Sequence, residues 1–290
     1  MKVLLLGSTG MLGSTVAEKL QQNKNFVTRT TSRSGNNNSI YYDAIKGGLR
    51  DLIEREKPNY ILNCIGVIKQ KMIPSSLALD EETIRVNSVL PFELARCAKE
   101  FSAKVIQITT DCVFSGTSGH YSENSFHDCN DLYGRSKSLG EVNSSEVMNL
   151  RVSIVGPEKN SHFSLMSWFL NQPKGSILQG YVNHFWNGVT SMAFAKVTVG
   201  IIENEVFYPG TFHLVPKNDL SKFDLLCSFA EVLNRKDISI VPFVSPEPIN
   251  RILTTDFPLV NKMLWNLSDY REIPSIESML RELSFLQSYT

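Results

Sequence analysis

No run in the 290 residues comes near the roughly 18 consecutive apolar positions that a membrane-spanning helix needs. The apolar opening at residues 3–6 is also too short for a signal-peptide core. The chain is therefore expected to be soluble and cytoplasmic, with no membrane partner. It has no excess of charge, since 29 basic residues balance 29 acidic ones. Nothing in that balance suits nucleic acid as the main partner, so a phosphate-bearing ligand has to be held locally. Cysteine is sparse. Cys64, Cys97, Cys112, Cys129 and Cys227 are odd in number and contain no Cys-x-x-Cys pair, which suits reduced thiols and predicts no disulfide. The five histidines show no ligand spacing, so no protein-built metal site is expected. What remains is a repeat-free chain long enough to bury a large core without staples.

The first 65 residues read as strand, turn and helix in alternation. An apolar run at 3–6 stops at Gly7-Ser8-Thr9-Gly10-Met11-Leu12-Gly13, and a helix is predicted over 15–21. The glycines let the backbone turn tightly and approach a pyrophosphate, while the helix start offers free N–H groups and partial positive charge. A second strand at 26–31 leads into Ser32, Arg33 and Ser34. No acidic residue stands at its end to bind a free ribose 2′-hydroxyl, and Arg33 between two serines suits a 2′-phosphate. NADPH is the expected cofactor, with NADH possible. Asp43, after a short strand at 40–42, is a candidate adenine contact. A strand at 60–64 then brings Cys64, Ile65 and Gly66 beside the cofactor, and Asn87, on a helix expected over 82–101, faces the sheet.

The chemistry concentrates between residues 104 and 137. The β-branched run at 104–108 predicts a buried strand that presents Thr110 at its end. Asp131 can cap a helix whose first turns carry Tyr133 and Lys137, and a spacing of four puts phenol and ammonium on one face. A lysine charge near a phenol favours phenolate and lowers a pKa that starts at about 10. That pair suits proton exchange with a carbonyl oxygen, and Thr110 supplies a second hydrogen bond.

The regular alternation fades after a strand expected at 149–155. A turn at 172–175 and the aromatic segment 181–188, with Trp186, read as part of a smaller lobe, together with the tail that carries Arg251 and Arg271. Lys69, on an irregular loop, can reach an anionic substrate. The reading is α/β: a Rossmann-type doubly wound parallel sheet with a smaller C-terminal substrate-binding lobe. Residues 1–155 plus about 189–235 form the NADP-binding part, and about 156–188 plus 236–290 the lobe.

With the turn at 7–13, Asn63-Cys64-Ile65-Gly66, Val86-Asn87, Thr109 through Phe114, Tyr121-x-Glu123, Tyr133-Gly134-Arg135-Ser136-Lys137 and the strand at 210–215 all in hand, the chain resembles an extended short-chain dehydrogenase/reductase. It most resembles the dTDP-4-dehydrorhamnose reductase family. The resemblance implies that Tyr133 donates a proton, that Lys137 orients the nicotinamide ribose and lowers the Tyr133 pKa, and that Thr110 supports the carbonyl oxygen. Hydride would pass from NADPH to C4 of a nucleotide-linked 4-keto-6-deoxy sugar. The segment 184–190, HFWNGVT, and Ile249-Asn250-Arg251 depart from the family pattern. Cys112 stands where related 4,6-dehydratases carry Glu, which disfavours dehydration. Cys112 with His162 also resembles the proton-moving pair of epimerase-reductases typified by GDP-fucose synthase. A non-catalytic cofactor-binding subunit, as in the methionine adenosyltransferase regulatory protein, is a further alternative. A homodimer is common in this superfamily.

Overall fold

The computed structural model describes residues 1–35, 38–69, 76–158 and 164–287, with side chains to residue 283. The first half runs β1 (Lys2–Leu6), α1 (Met11–Gln22), β2 (Val27–Ser32), β3 (Ile40–Tyr41), α2 (Leu49–Glu56), β4 (Tyr60–Asn63), α3 (Leu77–Ile84), α4 (Leu90–Phe101), β5 (Lys104–Thr109), α5 (Leu132–Leu139) and β6 (Val147–Arg151). There follow β7 (Ile154–Val155), α6 (Leu165–Leu170), β8 (Ile177–Tyr181), β9 (His184–Trp186), β10 (Val189–Thr190), α7 (Ser191–Glu203) and β11 (Gly210–His213). The chain ends with β12 (Leu220–Ser221), α8 (Lys222–Val232), β13 (Ser239–Phe243), β14 (Ile249–Asn250), α9 (Pro258–Asn266) and α10 (Ile276–Gln287).

Seven strands form one parallel sheet in the order β11-β6-β5-β4-β1-β2-β3. The chain departs in opposite directions on either side of β1, and in such sheets ligands bind in the crevice at the carboxyl ends of the strands where the order reverses. Alternate residues of β1 serve two cores. Val3 and Leu5 pack with Val16, Leu20, Ile106, Phe194 and Ile201, whereas Leu4 and Leu6 pack with Leu52, Ile61, Leu90, Leu94 and Val105. Helices thus cover both faces, which explains why the inner strands read as unbroken apolar runs. Burying one such leucine contributes about 1.5–3 kcal/mol.

Three expectations change. Helix α1 starts at Met11 rather than residue 15, so Met11 and Leu12 form its first turn. The helix expected over 82–101 is α3 and α4 joined by a π-helical turn, Arg85–Val89, and this wider turn lies directly before Pro91, a residue that has no N–H to donate to the helical ladder. The strand expected at 149–155 is two strands. β6 lies in the main sheet, and the chain steps away at residues 152–153 so that β7 pairs with β10 instead. The step is held by Val189 N–H donating to the Ser153 carbonyl at 2.8 Å and Trp186 Nε1 donating to Ser153 Oγ at 2.7 Å. Beyond it, β8 pairs with β13, and β9 lies between β12 and β14. Among the described residues no helix is long and apolar enough to cross a membrane.

Candidate active site

At the end of β1, Gly7 turns the chain with φ +82°, and helix α1 then packs so closely that a Cβ on Gly13 would lie 2.0 Å from the Gly7 carbonyl oxygen. Only glycine fits at 13. Gly10, between them, has nothing nearer than 3.8 Å to such a Cβ, and it starts α1 without a side-chain cap. The turn that carries Thr9 therefore presents uncapped N–H groups of Met11, Leu12 and Gly13 at a helix start. At the end of β2, Arg33 is exposed and has no ion pair among the described residues, while Ser32 Oγ accepts the Gly35 N–H at 3.1 Å. Asp43 spends one carboxylate oxygen on its own turn, accepting Ile45 N–H at 2.9 Å.

The strand β5 delivers Thr110. Its Oγ1 accepts the Cys112 N–H at 3.2 Å and donates to Asp111 Oδ1 at 3.2 Å. Helix α5 is capped by Asp131, whose Oδ1 accepts the Gly134 N–H at 2.8 Å. The helix start lies against the turn after β5, so close that a Cβ on Gly134 would be 2.3 Å from the Cys112 carbonyl oxygen. That approach brings Tyr133 within hydrogen-bonding reach of the Thr110 hydroxyl. One turn on, Lys137 runs toward the end of β4, and its Nζ would be 2.8 Å from a Cβ on Gly66. Asn87, in the π-helical turn, ties the two sides together. It exchanges two hydrogen bonds with the Val67 backbone, each 3.0 Å, and donates to Ser136 Oγ at 3.1 Å.

Charge in this cluster differs from the sequence-based expectation. Lys137 does not draw Tyr133 toward phenolate. Burial pushes the phenol above its usual range, with Cys112 and Asp111 adding to the rise, and the hydrogen bond shared with Thr110 works the other way. Burial lowers Lys137 to about 8, against the influence of Cys64 and Glu141. At neutral pH the site therefore holds a neutral phenol and a mostly charged ammonium. Burial also raises the thiols of Cys64 and Cys112, each to about 12, so both are uncharged.

The remaining expected residues are spread more widely. Lys69 is exposed and pairs with Asp131 at 2.7 Å, at the α5 cap. Arg251 reaches the loop after β5, donating Nε to the Phe114 carbonyl at 3.0 Å and Nη2 to the Ser115 carbonyl at 3.2 Å. Trp186 is 4% exposed and its indole N–H is committed to Ser153, so it belongs to the core rather than presenting a free ring. His162 lies outside the described residues. One group that no sequence pattern selects is Lys222, the first residue of α8, which sits near Asp111, Cys112 and Arg251. No spacing links it to Tyr133. Its only signal is a lysine directly after the helix-capping Ser221, where the helix dipole disfavours a cation.

Comparison with known proteins agrees with this architecture. A dTDP-4-dehydrorhamnose reductase of Clostridium acetobutylicum superposes with a TM-score of 0.78 at 20% identity, covering 99% of this chain and 100% of that one. The NADP complex of the Bacillus anthracis dTDP-4-dehydrorhamnose reductase gives a TM-score of 0.78 at 18% identity, covering 99% of each chain. A second group of relatives is methionine adenosyltransferase 2 subunit beta. The Xenopus tropicalis protein is 24% identical over 263 residues, covering 86% of this chain and 76% of that one. The mouse protein, Mus musculus, is 24% identical over 264 residues with the same coverage. The RmlD substrate binding domain model matches residues 1–259, most of the 290, and the chain belongs to that family.

Proposed function

We propose that this protein is an NADPH-dependent reductase that adds hydride to C4 of a nucleotide-linked 4-keto-6-deoxy sugar. The observation that carries the reading is the meeting of Thr110, Tyr133 and Lys137 at adjoining strand ends, beside a glycine turn with room for a pyrophosphate. A dinucleotide fits the residues present: Gly13 admits no side chain, Gly10 leaves open space, and Arg33 is exposed at the end of β2. Gly7, Thr9, Gly10, Met11, Leu12 and Gly13 would hold the pyrophosphate, Arg33 the 2′-phosphate and Asp43 the adenine. Cys64, Ile65, Gly66, Asn87 and Lys137 would surround the nicotinamide end. When bound, that cofactor supplies the hydride.

The chain supplies the proton. Tyr133 stays a neutral phenol in its buried setting, so it carries a transferable proton to the carbonyl oxygen as negative charge develops there. Thr110 gives that oxygen a second hydrogen bond. Lys137, four residues along α5, then stands near the phenolate that transfer leaves behind. Its cation acts on the product of the proton transfer rather than on the resting phenol. The neutral thiol of Cys112 weighs against the epimerase-reductase alternative, which needs a base at that position. The lobe formed by about 156–188 and 236–290 would hold the sugar nucleotide.

The likeness to methionine adenosyltransferase 2 subunit beta over 86% of the chain favours a second reading, a cofactor-binding regulatory subunit. Loss of NADPH absorbance on adding dTDP-4-keto-6-deoxyglucose, with and without a separate 3,5-epimerase, decides between them. Turnover is expected, and Tyr133→Phe should lower it by about 10²- to 10⁴-fold with NADPH affinity kept. Tight NADPH binding with no turnover of this or other keto sugars would establish the regulatory reading.

A further inference from the structure

Helix α5 carries both Tyr133 and Lys137, and its two ends are held by different devices. Asp131 caps the start. At the far end Gly140 packs so tightly that a Cβ there would lie 2.0 Å from the Asn87 carbonyl oxygen. Glu141 follows, its N–H still donating back to the Ser138 carbonyl at 3.2 Å, which leaves it one turn beyond Lys137. A carboxylate at that spacing is the ordinary partner for a lysine. The two do not pair: among the described residues Lys137 has no ion pair, and both Glu141 oxygens go to Arg151. Oε1 accepts Nε at 2.9 Å and Oε2 accepts Nη2 at 2.5 Å, with the side chains of Arg151 and Glu141 only 2% and 6% exposed. Lys137 instead sends its Nζ toward Gly66, at the end of β4.

Arg151 has little freedom to release that carboxylate. Its guanidinium lies over the buried Phe114 ring, 5.1 Å from the centroid, and its other donors go to His213 Nε2 and His127 Nε2. A guanidinium only donates, so both Nε2 atoms accept and each Nδ1 bears the hydrogen. His127 gives that hydrogen to Ser138 Oγ, next to Lys137 on α5, and His213 gives its own to the Thr254 carbonyl, three residues after Arg251. One buried cation thus joins the helix of Tyr133 and Lys137 to the C-terminal segment. Around it, Cys64 and Glu141 act on Lys137, Asp128 acts on His127, and Glu123 acts on His213. A two-pronged hold fixes the direction of the carboxylate as well as its charge.

We propose that Arg151 is a positioning residue: its hold on Glu141 keeps that carboxylate from closing on Lys137, and so leaves the ammonium free to face the cofactor's ribose and the Tyr133 oxygen. The task given to the ammonium rests on the reductase reading above. The hold on Glu141 is independent of it.

The test follows the titration of Lys137 by NMR in the full chain, isotopically labelled at the lysine ε-carbons, with the resonance assigned by its loss in Lys137→Met. The wild type should titrate near 8. Arg151→Met releases the carboxylate toward Lys137 and should raise the midpoint by about 1 pH unit or more, whereas Glu141→Gln should lower it. Arg151→Lys, which keeps the charge without the fork, should rise part of the way and covers the case in which Arg151→Met fails to fold. The double variant Arg151→Met/Glu141→Gln should match Glu141→Gln alone, because Arg151 acts only through that carboxylate. Midpoints that stay at the wild-type value, or that move the same way for Arg151 and Glu141 variants as general loosening would make them, overturn the proposal. The alkaline fall of kcat/KM should travel with the midpoint, and a fall that stays in place while the midpoint moves overturns it equally. Opposite shifts in a protein that turns over no keto sugar would remove the reductase reading and leave the hold on Glu141 standing. Turnover with unmoved midpoints would do the reverse.

Discussion

Lys137 shows how one residue can trade stability for chemistry. Its pKa of about 8 in the folded chain, against 10.5 for a free lysine, is a penalty on the order of 3 kcal/mol when the ammonium is charged. Between those two values the unfolded chain binds the extra proton, so stability rises as pH rises from about 8 toward 10.5, and below 8 the full penalty stands. Lys137→Met should therefore be more resistant to urea at pH 7 by up to that amount, and the advantage should shrink above pH 8. Activity follows the opposite sign. If the ammonium supports the departing proton, kcat/KM falls as pH rises through about 8, and a flat profile from pH 7 to 9.5 would contradict the role. Tyr133 and Lys137 were legible because a spacing of four fixes a helical face whatever the rest of the chain does. Lys222 was not legible. It comes near Asp111 and Cys112 only through the packing of a helix more than a hundred residues downstream, and the sequence contains no periodicity that reports such a meeting.

Among the elements, β6 and β11 carry a buried polar cluster that the sequence did not disclose. Arg151, 1% exposed, donates Nη1 to His213 Nε2 at 2.7 Å, Nη2 to His127 Nε2 at 2.9 Å and Nε to Glu141 at 2.9 Å. Each imidazole uses its other nitrogen, His213 toward the Thr254 carbonyl at 2.6 Å and His127 toward Ser138 Oγ at 2.7 Å. Both rings must be neutral to accept from a guanidinium. Burial first, then the Arg151 charge, lowers His213 to about 4. The unfolded chain takes up the proton nearer 6.5, so stability is lost as pH falls from about 6.5 to 4, by an amount on the order of 3 kcal/mol for this residue. Urea midpoints at pH 7 and pH 5 should show the drop, and His213→Asn should flatten it. The boundary between β6 and β7 was hidden for a related reason. Residues 147–155 form one continuous β-favouring run, and what divides it is the grip of Trp186 and Val189 on Ser153, which comes from another part of the chain.

Over the whole molecule, the parallel sheet was legible, because parallel strands buried on both faces leave apolar runs punctuated by glycine turns. The pairing of β8 with β13 and of β9 with β12 and β14 was not, since two- and three-residue strands leave no periodic trace. A cofactor that binds only the folded chain must stabilise it, by about 2.7 kcal/mol at a hundred times its dissociation constant. NADP⁺ at that excess should raise the melting temperature by several degrees, and more than NAD⁺ at equal concentration. Equal shifts would remove the part assigned to Arg33. The neighbouring strands β7 and β10 hold a consequence of another kind. The chain leaves for residues 156–188 and returns along a parallel ladder, Ile154 opposite Val189 and Val155 opposite Thr190, so departure and return lie side by side. An excursion closed at its own base can change length at a cost of only about 0.6 kcal/mol per doubling. The intervening stretch is nonetheless pinned elsewhere, β8 on β13 and β9 on β12 and β14, so it can be replaced only together with its partner strands at 220–221, 239–243 and 249–250.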